Sequence, residues 1–208
     1  MTNPTSLLSP PFARPAPSDV LIHDLISHRW SPRAFAPVGM EAGELRSLFE
    51  AARWAPSAFN EQPWHFLCAQ REHADQFQKL LDCLNPNNQL WAQHAAVLII
   101  AVARLELTGK SQPNRTAFYD LGQAVATLTA QATSLGIAVH QMVGFDTGKA
   151  RSACAIPEGH EPLVALAAGR PGAPDSLPDN LRQRELAART RKPATDFVYT
   201  AQWGVTSA

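Results

Sequence analysis

Between Tyr119 and Leu135 runs the longest helical pattern in the chain, and it has almost no polar side. Leu121, Val125, Leu128, Ala132 and Leu135 recur at helical spacing, while Gly122, Ala124, Ala126 and Ala130 put small side chains around much of the remaining circumference. A helix that is apolar nearly all round is a buried one, and small side chains let neighbouring backbones come close. The chain has 208 residues, 45% of them hydrophobic, which is enough for one well-buried core and short for two. The helix is therefore expected at the centre of a single domain and, at the same time, in a subunit interface. Gly136 ends it.

The remaining elements arrange themselves around that helix. Ala95 to Ala103 is an unbroken apolar run, far shorter than the roughly 20 residues that span a bilayer, and reads as a buried strand. Trp64–Ala69, Ile137–Val143 and Leu163–Ala168 read as further strands. Ser18-Asp19 offers a cap for a short helix carrying Val20, Leu21, Ile22, Leu25 and Ile26 and ending near His28. Leu45, Leu48, Phe49 and Ala52 mark a second helix that Pro56 stops, and Glu72–Leu84 a third, followed by a turn at Asn85–Asn88. Residues 1–17, rich in Pro and Ser and without the basic start and apolar run of a secretory signal, read as a flexible arm before a single domain at 18–208. From about 173 the chain turns basic and polar and ends with Phe197, Val198, Tyr199 and Trp203. Aromatic anchors without a core of their own call for another surface, and a partner subunit supplies one.

Eighteen basic and eighteen acidic residues leave no global field to draw nucleic acid or an anionic membrane, so any anion is bound locally. Cys68, Cys83 and Cys154 are far apart, odd in number and set in apolar segments, the usage of reduced thiols in a cytoplasmic protein. The histidines lie in separate segments and no metal site is expected. Gly144-Phe145-Asp146-Thr147-Gly148-Lys149-Ala150 is one residue short of a phosphate loop, and Ala150 stands where that loop needs a hydroxyl for magnesium. The common dinucleotide, serine-hydrolase and zinc-protease fingerprints are absent. An enzyme of this size with no evident nucleophile or metal takes its reactivity from an organic cofactor.

The sharpest local signal is Arg29, Ser31 and Arg33. Pro32 and Pro37 break regular structure around them, and alternate residues of an extended segment point the same way, which brings two guanidiniums and a hydroxyl to one anion. The same three residues also suit a solvated basic turn, the commoner fate of such a cluster.

Taken together with the second proline-rich stretch, the chain resembles the nitroreductase family over roughly residues 20 to 203. The resemblance rests on Arg29-Trp30-Ser31-Pro32-Arg33-Ala34-Phe35 after a helix and on Ala55-Pro56-Ser57-Ala58-Phe59-Asn60-Glu61-Gln62-Pro63-Trp64, with Asn88–Ala92, Gly144-Phe145-Asp146, Ile156–Gly159 and Arg191-Lys192-Pro193 following in order. It implies an α+β fold with a mainly antiparallel central sheet flanked by helices, in an intertwined homodimer. The implied cofactor is FMN and the implied reductant NADH or NADPH. Arg29, Arg33 and Arg191 would hold the FMN phosphate and ribityl chain with Ser31, in a stretch where Trp30 stands at a position that many relatives fill with a basic residue. Pro56 and Ser57 would face the flavin from the partner subunit, with Asn60 supporting their loop, and Gln141, Met142 and Val143 would line the isoalloxazine. Gly169-Arg170 lies where some relatives place another flavin contact.

The activity so implied is ping-pong hydride transfer from NAD(P)H to nitroaromatics, quinones or other electron-poor acceptors, with no catalytic side chain because the flavin carries the chemistry. Two alternatives remain at this level. One is a flavin-storing or sensing protein without nicotinamide-linked turnover; the other is a flavin dehalogenase or flavin-fragmenting relative, for which the connection 104–118 is the only candidate lid.

Overall fold

A computed structural model describes residues 14–206; positions 1–13 of the arm lie outside the described residues. Four strands, β1 (Trp64–Gln70), β2 (Val97–Arg104), β3 (Ala138–Met142) and β4 (His160–Gly169), form one sheet in the order β1-β2-β4-β3, antiparallel throughout. Among the described residues seven α-helices flank it: α1 (Asp24–Ser27), α2 (Ala42–Arg53), α3 (Ala74–Leu81), α4 (Pro86–Ala92), α5 (Ala117–Ser134), α6 (Thr147–Ala153) and α7 (Asp179–Leu186). This is the α+β, antiparallel architecture that the resemblance implies.

Why the 95–103 run shows no polar alternation is clear from its place in the sheet. Side chains alternate across a strand, and β2 is covered on both faces. Leu98, Ile100 and Val102 enter a core with Phe77, Leu80 and Trp91 of α3 and α4, while Val97, Ile99, Ala101 and Ala103 enter a second core with Leu48 of α2 and Leu121, Val125 and Leu128 of α5. The β2–β4 register shifts between Ala101 and Val102, where Leu163 of β4 is left without a partner.

The long helix is central, though not enclosed within one chain. Leu121, Ala124, Val125, Leu128, Thr129 and Ala132 are buried against the sheet and α2, whereas Gly122 and Ala126 on the other side are exposed, with Phe118 and Tyr119 beside them.

Three local expectations change. The helix expected from about Val20 shrinks to the four residues of α1, with His23 as its cap, and Val20 and Leu21 are 71% and 101% exposed. In four residues an apolar stripe has no helical face to lie on. The turn at Asn85–Asn88 is instead the start of α4: Asn85 accepts the Asn88 N–H at 2.9 Å and Pro86 occupies the first turn, where its missing N–H costs nothing. Helix α7, which follows in the polar tail, has only Leu181 and Leu186 as apolar residues in DNLRQREL and no visible amphipathic pattern. The stretch through Arg189 packs on its own chain by Leu177, Leu181 and Glu185; Phe197, Val198 and Trp203 beyond it are exposed.

Candidate functional site

The end of the Arg29–Phe35 segment is held by the backbone that follows β4. The Ala36 N–H donates to the Arg170 carbonyl and the Gly172 N–H to that of Ala34, both at 2.9 Å, with Phe35 bridged to Pro171. This continues the end of β4. Gly172 is required by the close approach: a Cβ there would lie 2.6 Å from the Phe35 carbonyl carbon. From β3, the His140 imidazole donates to the Pro32 carbonyl at 2.9 Å and packs on Trp91 at 4.5 Å between ring centroids. Burial is the main cause that pushes the His140 pKa down to about 4, so the ring is neutral at neutral pH.

On the outer side this segment faces a pocket of about 310 Å³ lined by Arg14, Arg29, Trp30, Ser31, Arg33, Arg184, Glu185, Arg189 and Arg191, among others. Arg29 Nη1 donates to Ser31 Oγ at 3.1 Å, and Arg14 lies 5.9 Å over the Trp30 ring. Arg189 reaches under the segment and donates to the carbonyls of Ser27 at 3.0 Å, Arg29 at 2.9 Å and Arg14. Glu185 is the one acid in the lining; its carboxylate accepts the Arg33 and Ala34 N–H groups and stands 3.8 Å from the Arg33 guanidinium. The arginines press on one another. Burial first and Arg191 second lower the Arg29 pKa; Arg33 is lowered by burial and then Arg184, against Glu185; Arg189 is lowered by burial, then Arg29, Arg191 and Arg14. Such crowding of partly desolvated cations favours a bound anion.

Of the residues picked out in the sequence, Arg29, Trp30, Ser31, Arg33 and Arg191 thus come together in one pocket, which argues against the solvated-turn reading. Gln141 and Met142 follow His140 on β3, and Val143 comes just after the strand ends. The Met142 side chain is inside the core, while Gln141 and Val143 are exposed. Pro56, Ser57 and Asn60 are not in the arginine pocket of their own chain. Their loop lies on the start of α5, where the Ala58 N–H donates to the buried Asp120 carboxylate at 3.2 Å and the Gln62 N–H to Ser57 Oγ at 3.1 Å. Phe59, Asn60 and Gln62 there have φ of 54°, 56° and 46°, a left-handed backbone that non-glycine residues seldom adopt. Arg170 does not turn toward the pocket: its guanidinium is held by Glu44 and the Leu135 carbonyl, joining α2 to the end of α5. Glu185, Arg189, Arg184 and Arg14 are additions that the sequence pattern did not single out. The signal for Glu185 was its spacing, four residues after Leu181, which puts both on the buried side of α7.

The sequence model of the nitroreductase family matches residues 26–170, more than half of the chain. The chain belongs to the nitroreductase family. A solved structure described as an oxidoreductase containing FMN is 31% identical to this nitroreductase-family chain, with a TM-score of 0.87, covering 92% of this chain and 97% of that one. A nitroreductase family protein from Clostridium difficile 630 shares the fold at 22% identity and a TM-score of 0.68, covering 86% and 96% of the two chains. An uncharacterized 15.4 kDa protein of Mycolicibacterium smegmatis, from the ask 5′ region, is 32% identical over 114 residues, 53% of this chain and 74% of the relative. The family match ends at Arg170, so α7, with Glu185 and Arg189, lies beyond it.

Proposed function

We propose that this nitroreductase-family protein is an FMN-dependent oxidoreductase that uses NADH or NADPH to reduce nitroaromatics, quinones or other electron-poor acceptors. The observation that carries the reading is the arginine pocket. Among the described residues Arg29, Arg184 and Arg191 line it without a carboxylate partner, and guanidiniums and the hydroxyls of Ser31 and Thr190 are donors that fit a phosphate monoester. The FMN content of the 31% identical structure supports the same choice.

When bound, FMN would supply the hydride-transfer chemistry that couples a nicotinamide to the second substrate in a ping-pong sequence. The chain binds and orients. Arg29, Arg33 and Arg191, with Ser31, hold the phosphate and ribityl end, and Trp30 walls the same pocket. Gln141 and Val143 present side chains beside the ring, and the backbone N–H groups of 141–143 stabilise negative charge there. No side chain is assigned an acid or base role; the protein acts through position, electrostatics and exclusion of water.

The second half of the site comes from a homodimer partner. Pro56, Ser57 and Asn60 sit on a strained, outward-facing loop away from the arginine pocket of their own chain, and backbone strain of this kind collects at functional sites. The exposed Gly122 and Ala126 face of α5, with Phe118 and Tyr119, suits contact with the same helix of a second copy, and Phe197, Val198 and Trp203 suit a tail laid across it. All three cysteines are free thiols, in keeping with a cytoplasmic protein.

The test is the visible absorbance of the purified protein followed by turnover. Paired flavin bands, about one FMN released per subunit, and oxidation of NADH or NADPH by a nitroaromatic or quinone are expected. A protein that is colourless and takes up no added FMN overturns the reading; bound FMN without nicotinamide oxidation reduces it to flavin storage.

A further inference from the structure

Glu185 is an acid in the wall of an anion pocket, where simple electrostatics would disfavour it. Its side chain is 1% exposed, and the nearest guanidinium nitrogen of Arg33 is 3.8 Å away, too far for a strong ion pair. The carboxylate is instead used by backbone: Oε1 and Oε2 accept the Arg33 N–H at 2.9 and 3.0 Å, and Oε1 accepts the Ala34 N–H at 3.2 Å. The acid has no freedom to turn away. Leu181 is buried one turn earlier, and Arg14 donates to the carbonyls of Glu185, Leu186 and Ala187 at 2.8 Å for the last of these, closing the C-terminal end of α7. Arg189, just beyond, holds the Arg29 carbonyl at 2.9 Å.

We propose that Glu185 is a positioning residue of the cofactor pocket: by accepting the Arg33 and Ala34 N–H groups it fixes the turn from which Arg29 and Arg33 reach the phosphate of FMN. This rests on the FMN reading given above. It makes the segment after the family match part of the site, with α7 acting as a clamp on the arginine segment rather than as a tail.

The experiment is titration of the flavin-free full-length protein with FMN and with riboflavin, which lacks the phosphate, in the wild type, Glu185→Gln and Glu185→Asp. Charge alone gives the opposite sign from positioning, because removing a negative charge from an anion pocket tightens FMN binding. Positioning predicts that Glu185→Gln raises the FMN Kd about tenfold or more, leaves the riboflavin Kd unchanged, and is partly rescued in Glu185→Asp. Equal or tighter FMN binding overturns the proposal, as does equal weakening of both flavins, which marks a general structural role. If Glu185→Gln fails to fold, Glu185→Asp is scored by the same ratio. A wild type that binds neither flavin refutes the FMN reading instead. Positioning is then scored by the thermal stabilisation that inorganic pyrophosphate gives: its loss in the Glu185 variants supports the proposal, and its persistence, or its absence from the wild type, overturns it.

Discussion

His140 on β3 donates a hydrogen bond of 2.9 Å to the Pro32 carbonyl, so the sheet grips the arginine segment through a neutral imidazole. The folded pKa of about 4 lies below the ordinary 6.5, chiefly because of burial. The unfolded chain therefore binds the proton first on acidification, and the stability held above pH ~6.5 is lost as pH falls toward ~4, by on the order of 3 kcal/mol. Thermal denaturation across that window is expected to show the loss, and His140→Gln, which keeps a donor without titrating, to flatten it. An unchanged slope in His140→Gln would assign the pH dependence elsewhere.

Replacing Arg29 or Arg33 by Ala removes a guanidinium that the structure places at the pocket without placing it in the core. FMN affinity is expected to fall by about 1.5–3 kcal/mol, the worth of a charge-assisted hydrogen bond, with the fold retained by circular dichroism. Lysine in either place restores charge but not the forked geometry, so only partial recovery is expected. Flavin retention equal to wild type refutes the phosphate assignment.

Ala126 lies on the outward face of α5, where a tryptophan meets no atom of its own chain's core. If that face meets a second copy, Ala126→Trp overpacks the contact by roughly 1–3 kcal/mol and lowers dimer formation and FMN binding together. Size-exclusion chromatography with light scattering reads the first and flavin fluorescence the second. A monomer that holds FMN as well as the wild type shows that the site is complete in one chain.

Asp120 is a buried carboxylate, 1% exposed, that accepts from the Ala58 N–H at 3.2 Å and Thr116 Oγ1 at 2.9 Å. Asp120→Ala leaves the loop donor unsatisfied and is expected to cost about 1–3 kcal/mol in urea denaturation. Asp120→Asn, which keeps one acceptor oxygen, costs less. Because the 56–62 loop carries the left-handed residues Phe59, Asn60 and Gln62, its proteolysis is expected to quicken in the Ala variant first.

The sequence by itself determined the sheet strands, the long helix and the grouping of Arg29, Ser31 and Arg33. Each is written locally: the 95–103 run needs cover on both faces, the small residues of 119–135 need a close neighbour, and Arg29, Ser31 and Arg33 alternate along an extended segment that two prolines keep from becoming helix. Other features depended on contacts distant in sequence. Nothing within residues 18–28 shows that the helix would be only four residues long, and nothing in the polar string 179–186 shows that it would fold as α7 and bring Glu185 to Arg33 across 152 positions of chain. A polar helix with two leucines takes its place from a few specific contacts, the Arg14 cap, buried Leu181 and the backbone N–H groups of Arg33 and Ala34, rather than from an amphipathic pattern. Propensity and periodicity report what a segment does with its neighbours in sequence; the partners that fix the arginine pocket are neighbours only in space.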